Sequence, residues 1–171
     1  GFVGTGVPDE LLNALKDRFL KENTPHNLTL LFSAGPGDGD VRGINLLAFP
    51  KLLKRVVGGH FGLIPRISEL ALNDEIEAYN IPQGIISHLY RDIASGKPGV
   101  FTKVGLGTFA DPRIEGGKVN KSSKENLIEL INIKEEEYLF IPTFPLDIAI
   151  LRGSVADKNG SISMRNDALI I

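Results

Sequence analysis

Apolar residues recur at helical spacing in three segments of the chain, and this spacing predicts three helices. The segments are residues 8–22, 65–73 and 82–95. The third has the clearest pattern, because its apolar residues form one continuous stripe of Ile85, Ile86, Leu89, Tyr90 and Ile93. Gly96 and Pro98 follow this segment, as expected where a helix ends.

Short apolar runs between the helical segments predict strands. Four such runs lie at residues 28–32, 55–57, 76–79 and 100–104. Strands that alternate with helices are typical of βαβ units, in which consecutive strands lie parallel. Residues 1–105 therefore predict an α/β fold with an open, largely parallel sheet flanked by helices.

The pattern changes after residue 120, where apolar runs follow one another without helices between them. Runs at 127–133 and 138–141 predict a hairpin with its turn at residues 135–137, and residues 146–151 predict a further buried strand. A turn at residues 157–160 precedes the last short run. We therefore expect the C-terminal part of the chain to be rich in antiparallel strands.

Glycine is concentrated in the loops expected at one edge of the predicted sheet. In open parallel sheets, ligands bind beyond the carboxyl ends of the strands, so these loops are the candidate binding region. The first loop contains Gly4 and Gly6 and leads through Pro8 into the first helix, an arrangement that suits the binding of negative charge. The loops are residues 1–7, 35–43, 58–62, 80–84 and 105–118.

The composition is that of an ordinary globular domain. The chain has 171 residues, which is long enough for one domain with a hydrophobic core. Of these residues, 42% are hydrophobic and 23% are charged. Its formal net charge of -2 gives no basic excess, so we expect no nucleic-acid partner. No apolar run approaches the ~18 residues of a membrane span, so we expect no membrane partner.

Several kinds of chemistry are not indicated by these residues. Cysteine is absent, which excludes disulfides and thiolate chemistry here and fits a reducing, cytoplasmic location. His26, His60 and His88 do not have the spacing of metal ligands, so no metal site is expected. The Gly105–Ala110 loop resembles a dinucleotide fingerprint, but it runs into Asp111-Pro112 rather than a helix.

Two loops carry polar side chains that suit contact with a ligand. His60 follows Gly59 at the end of the second strand, and Gln83 and Gly84 lie at the start of the third helix. An amide both donates and accepts hydrogen bonds, so Gln83 suits a carboxylate or an amide-bearing ligand. The alternative is that this segment only caps the helix, with Asn80 starting the turn. The sequence leaves both interpretations open.

An ordered set of motifs resembles the family I coenzyme A transferases. Each motif is weak alone, but their order, without large gaps, covers nearly the whole chain. Within the family the chain is similar to the acetate or propionate CoA-transferases, which act on short-chain acyl-CoAs. The resemblance implies a fold like that of the CoA-transferases and ribose-phosphate isomerases. The motifs are Gly1-Phe2 with Gly6 and Pro8, Asn27-Leu28-Thr29, Gly35-Pro36-Gly37-Asp38-Gly39, Lys54-Arg55-Val56-Val57-Gly58-Gly59-His60, Tyr79-Asn80-Ile81-Pro82-Gln83-Gly84, Gly99–Phe109 and Asp111-Pro112-Arg113.

The resemblance implies a ping-pong reaction that passes through a glutamyl-CoA thioester. In this family the glutamate lies in the second half of the protein and is followed by asparagine and glycine. The chain has only Glu22-Asn23, followed by Thr24, and Glu125-Asn126, followed by Leu127. We therefore expect residues 1–171 to be a single amino-terminal domain, truncated at both ends, that contains no catalytic residue and is inactive alone.

The resemblance also implies a binding role for one wall of the site. The partners would be an acyl-CoA, a short-chain carboxylate and a C-terminal catalytic domain, in a homo-oligomer. Coenzyme A would be a co-substrate, and no cofactor would be permanently bound. The residues expected to bind substrate are Gly4, Gly6, Gly59, His60, Gln83, Gly84, Gly105 and Gly107.

Two other functions are compatible with parts of the pattern. A sugar-phosphate isomerase has a related α/β fold, but it would need a phosphate loop rich in Ser, Thr and Lys, and the glycine loops contain few lysines besides Lys103 and Lys118. A separately encoded, non-nucleophilic α subunit of a transferase is the other alternative. The absence of an initiator methionine argues against a natural subunit.

Overall fold

The computed structural model describes residues 3–164 of the chain. Gly1 and Phe2, where the first predicted loop begins, lie outside the described residues. The three predicted helices are confirmed, and a short 3-10 helix at Ile44–Leu47 adds to them. The elements in chain order are α1 (Asp9–Glu22), β1 (Leu28–Phe32), β2 (Leu53–Gly58), α2 (Pro65–Leu72), β3 (Glu77–Asn80), α3 (Gln83–Ala94), β4 (Gly99–Thr102), β5 (Glu129–Ile133), β6 (Glu136–Pro142), β7 (Val155–Ala156) and β8 (Ile162–Ser163).

Helices α1 and α3 each begin directly after a proline. Pro8 and Pro82 were expected as the first helical residues, and they instead occupy the N-cap positions. A one-residue difference of this kind is within the usual uncertainty of a helix boundary. Acidic Asp9 and Glu10 lie in the first turn of α1, where they interact favourably with the positive end of the helix dipole.

Strands β1, β2 and β3 form the predicted parallel sheet, in that order. The register places Phe32 beside Gly58, and Gly58 beside Asn80. The carboxyl ends of the three strands are therefore level with one another. The loops that follow them must leave the sheet at the same edge, as the βαβ pattern requires.

The fourth predicted strand does not join this sheet. Strand β4 instead pairs antiparallel with β6 in a second sheet of order β4-β6-β5, where Phe101 stacks on Phe140 with ring centroids 4.6 Å apart. The free edge of β3 is occupied by residues 117–119, because Tyr79 bridges Lys118 in an antiparallel sense. This contact leaves β4 no place beside β3. The α/β class with an antiparallel C-terminal part is confirmed.

Two further expectations for the C-terminal part need correction. The turn between β5 and β6 lies at Lys134 and Glu135, which have positive φ of 50° and 67°, rather than at residues 135–137. Residues 146–151 are not a buried strand: Ile148 is 81% exposed, and no strand of residues 3–164 pairs with them. The predicted turn at 157–160 is confirmed, because it joins β7 to β8.

The core consists of two apolar clusters that meet at the parallel sheet. Alternation along β2 sends Val56 into one cluster and Val57 into the other. The first cluster packs beneath α1 and α2, and the second packs beneath α3 and includes buried residues of β4 and β6. None of the helices described in residues 3–164 is long and apolar enough to cross a membrane.

Candidate functional site

Gly59 lies where the loops after β1, β2 and β3 come closest together. Its N–H donates to the carbonyl oxygen of Phe32 at 3.2 Å, which holds it against the end of β1. A Cβ atom at this position would lie 2.2 Å from the carbonyl oxygen of Ser33 and 2.9 Å from Cα of Gln83. Both neighbours are main-chain atoms, so only glycine lets the start of α3 approach this edge.

His60 projects from the same edge, between two glycines. A Cβ at Gly35 would lie 2.9 Å from Cδ2 of its ring, and a Cβ at Gly62 would lie 3.0 Å from Nε2. The residue as a whole is exposed. The imidazole is therefore fixed by close packing against the loop after β1, while solvent and ligand keep access to it. An imidazole in this position can donate or accept a hydrogen bond.

Gln83 and Gly84 open helix α3 at this edge. Helix α3 has no side-chain cap, so the interpretation of Asn80 as its capping residue is wrong. Within residues 3–164 the Gln83 side chain forms no hydrogen bond, and Oδ1 of Asn80 is buried without a partner. A buried polar atom without a partner needs an explanation, and Asn80 Oδ1 is such an atom. Gln83 is half-buried, so water can reach its amide and a ligand could replace that water.

Space for a ligand adjoins Gly84. An alanine Cβ there would meet no atom within 4 Å. The residue borders an open groove of about 490 Å³ between α3 and β4, whose lining also includes His88, Arg91, Phe101 and Val104. Neither the His88 nor the Arg91 side chain forms a hydrogen bond or ion pair within residues 3–164. Arg91 thus gives the groove a positive charge, and Phe101 and Val104 give it apolar surface.

The loop that contains Gly4 and Gly6 meets the loop that follows β1. Both glycines have positive φ, 73° and 67°, and a Cβ at Gly4 would lie 3.7 Å from Cβ of Asp38. The two loops are tied further by Asp9, which accepts a hydrogen bond of 3.0 Å from the N–H of Gly43. The structure therefore places Gly4 against the same loop, residues 35–43, that packs on His60.

Gly105 and Gly107 lie in a different set of turns. A Cβ at Gly105 would contact Leu139 and Ala110 at 3.0 and 3.1 Å, and a Cβ at Gly107 would meet no atom within 4 Å. The atoms nearest to Gly105 and Gly107 therefore do not include any atom of Gly59. Their loop borders the second sheet, and residues further along the same turns reach β3. The proposed substrate-binding role of all eight predicted residues stays a prediction.

Tyr90 is a polar residue near the site that the sequence did not single out. Its position in the apolar stripe of α3 favoured a core role. Its hydroxyl reaches the end of β1, where it lies 3.5 Å from the carbonyl oxygen of Leu31 and beside buried Ser33. Burial raises the pKa of Tyr90, and hydrogen bonding to Ser33 opposes this effect. The neutral hydroxyl links α3 to the candidate site.

We expect the Tyr90→Phe variant to resist alkaline unfolding better than the unchanged chain. The pKa of Tyr90 is raised on folding, so its contribution to stability is complete below the unfolded value of about 10 and is lost as the pH rises through the folded value. Urea unfolding at pH 8 to 11 measures this. The free energy of unfolding of the unchanged chain should fall more steeply above pH 10 than that of the variant. Equal pH dependence of the two free energies would contradict the expectation.

Comparison with known proteins adds to this geometry. A family model described as coenzyme A transferase matches residues 1–169. The chain is 42% identical over 173 aligned residues to the caffeate CoA-transferase of Acetobacterium woodii, an alignment that covers 99% of this chain and 33% of that protein. It is 40% identical over 161 residues to the acetate CoA-transferase YdiF of Escherichia coli K12, covering 94% of this chain and 30% of that protein.

A solved structure shows the same fold. The acyl-CoA transferase YdiF of Escherichia coli O157:H7, in a thioester complex with CoA, matches with a TM-score of 0.86 and 41% identity. The match covers 89% of this chain and 30% of that one. The chain thus spans about a third of the length of these proteins.

Proposed function

Because this chain belongs to the coenzyme A transferase family and matches an amino-terminal domain of its family I members, we propose that it forms one wall of the active site of a short-chain acyl-CoA:carboxylate CoA-transferase. The observation that carries the proposal is the convergence at Gly59. There the loops after β1 and β2 and the start of α3 meet closely enough that no side chain fits. Three strand ends thereby build a single surface at the edge where such sheets bind ligands.

The residues at this edge suit an acyl-CoA. The Gln83 amide is free within residues 3–164 to bond a thioester carbonyl or a carboxylate. His60 offers a second polar group, held by Gly35 and Gly62. The open space at Gly84 continues into the groove beside α3, where a long ligand has room. We propose that Gly4, Gly6, Gly105 and Gly107 line the neighbouring parts of the same wall.

The reaction that we propose has two halves and needs a glutamate from outside these residues. The glutamate carboxylate attacks the thioester carbonyl of the acyl-CoA, the C–S bond breaks, and a mixed anhydride and a CoA thiolate form. The thiolate then attacks the glutamyl carbonyl, which releases the first acid and leaves a glutamyl-CoA thioester. A second carboxylate reverses both steps, so covalent catalysis divides one difficult exchange into easier ones. The thioester complex of the similar Escherichia coli enzyme supports this route.

Hydrogen-bond donors must stabilise the negative charge that develops on each carbonyl oxygen. In this proposal the wall formed by Gly59, His60 and Gln83 supplies part of that environment, and a further domain or subunit supplies the nucleophile. Action on short-chain acyl-CoAs such as acetyl- and propionyl-CoA, the homo-oligomeric assembly and the cytoplasmic location belong to the same proposal. A separately encoded α subunit would use the same wall, and the intact mass of the purified protein distinguishes the two. A mass far above 18.6 kDa indicates a single longer chain.

Borohydride trapping of the longer transferase with acyl-CoA tests the proposed function. Borohydride reduces a glutamyl thioester, so the modified residue is found by peptide mass spectrometry. We expect one modified glutamate, and we expect it outside residues 1–171. Modification of Glu115, which is exposed in the last glycine-rich loop, would overturn the assignment. Trapping without CoA provides the control.

A further inference from the structure

Asp111 has a buried carboxylate, and both of its oxygens accept hydrogen bonds. Its side chain is only 1% exposed. Oδ2 accepts hydrogen bonds from the N–H of Gly107 at 2.9 Å and from Nη2 of Arg113 at 2.8 Å. Oδ1 accepts from the N–H and Nε of Arg113, both at 3.0 Å. The charge is therefore balanced by one guanidinium and two main-chain N–H groups, and the carboxylate holds the glycine loop on one side and an arginine on the other.

The main chain of Asp111 organises the turns that follow. Its carbonyl oxygen accepts hydrogen bonds from the N–H groups of Ile114 at 2.9 Å and of Gly116 at 3.0 Å. The next residue, Gly117, has φ of 75° and accepts a hydrogen bond of 2.7 Å from the N–H of Asn80. One residue thus connects the Gly105–Thr108 loop to the carboxyl end of β3.

Arg113 connects the same cluster to the second sheet. Its Nη1 donates to both carboxylate oxygens of Glu137 on β6, at 3.0 and 3.1 Å. Half of its side chain is exposed, whereas the Asp111 carboxylate beneath it is buried. Hydrogen bonds from Arg113, and next from the N–H of Gly107, hold the pKa of Asp111 well below its usual range. The carboxylate is therefore ionised throughout the neutral range.

We propose that Asp111 is a positioning residue that holds the Gly105–Thr108 loop at the acyl-CoA site. The inference rests on the proposed function, since it assumes that this loop lines the site. The exposed face of the loop at Gly107 is open, while its inner N–H is bound to the carboxylate. Asp111 touches no substrate in this arrangement. It acts through the shape of the loop and through the link that Gly117 makes to β3.

Asp111→Asn in the longer transferase tests this role. The amide keeps the size of the side chain but loses the charge that orders the Arg113 fork. We expect the KM for acyl-CoA to rise about tenfold with a smaller change in kcat, which corresponds to lost binding rather than lost chemistry. We also expect faster hydrogen exchange at the Gly107 amide. Asp157→Asn, the same change at an exposed carboxylate in the turn between β7 and β8, is the matched control and should change neither quantity.

Two results would overturn the inference. An unchanged exchange rate at Gly107 would show that the carboxylate does not hold the loop. A faster exchange rate with an unchanged KM would show that the loop does not bind acyl-CoA. If Asp111→Asn does not fold, Arg113→Lys serves instead, because it keeps the charge and loses the two-pronged contact. Failure of the unmodified protein to transfer CoA would refute the proposed function, while the exchange result would still report on the loop.

Discussion

Replacing Gly59 with alanine is expected to lower the free energy of unfolding by about 3 kcal/mol, which is a typical cost of overpacking a close contact. The added Cβ would lie 2.2 Å from the carbonyl oxygen of Ser33 and 2.9 Å from Cα of Gln83. Neither atom belongs to a flexible side-chain end, so the main chain itself must move. The loop after β1 and the start of α3 would separate, and the proposed site would lose its centre.

Gly84→Ala is the matched control for this substitution. Gly84 lies at the same edge and within α3, but a Cβ there would meet no atom within 4 Å. Alanine is the better helix former, so this variant should be more stable than the unchanged chain by about 0.5–1 kcal/mol. Urea unfolding of the two variants measures both effects. Equal stability of Gly59→Ala and the unchanged chain would refute the packing argument for Gly59.

The position of the candidate site follows from the sequence because it depends on strand direction. Short apolar runs separated by helices predict parallel strands, and parallel strands place their following loops at one edge. His60 and Gln83 follow the ends of β2 and β3, so both lie at that edge whatever the details of packing. The close contact at Gly59 was not predictable, because it depends on the distance between two loops.

The sequence pattern could not predict which sheet β4 joins, because that depends on contacts between distant segments. An apolar run predicts a strand but not its partner, and the edge of β3 is taken by residues 117–119. That segment reaches β3 through Gly116 and Gly117, which both have positive φ, and the β5–β6 turn uses positive φ at Lys134 and Glu135. Non-glycine residues seldom adopt this conformation, so composition gave no signal for that turn.

Residues 146–151 show the limit of hydrophobicity as a guide to burial. The run is as apolar as a buried strand, yet Ile148 and Leu151 are 81% and 70% exposed. Burial of an apolar run requires a neighbouring surface on both sides, and residues 3–164 cover this segment only in part. Tyr90 is the opposite case. It belongs to an apolar stripe, which predicts a purely apolar role, yet its hydroxyl links α3 to Ser33.

The 171-residue chain by itself is expected to show no CoA transfer between propionyl-CoA and acetate. The two glutamates that precede asparagine are engaged elsewhere in the fold. Glu22 ends α1 and pairs with Arg18 at 3.2 Å, and the carboxylate of Glu125 pairs with Arg55, whose other partner is Glu77 at the start of β3. Both lie away from the carboxyl ends of the strands, where the proposed wall is.

Transfer of labelled acetate into acetyl-CoA, followed by chromatography, measures this activity directly. The longer transferase, assayed at the same molar concentration, provides the positive control. Complete inactivity of the chain, with activity restored only in the longer polypeptide or after addition of a separate catalytic subunit, is the expected result. Since covalent catalysis requires a nucleophile in reach of the thioester, turnover by the chain alone would mean that one of its own carboxylates attacks the substrate. The wall at Gly59 and Gln83 would then need to be redefined as a complete active site.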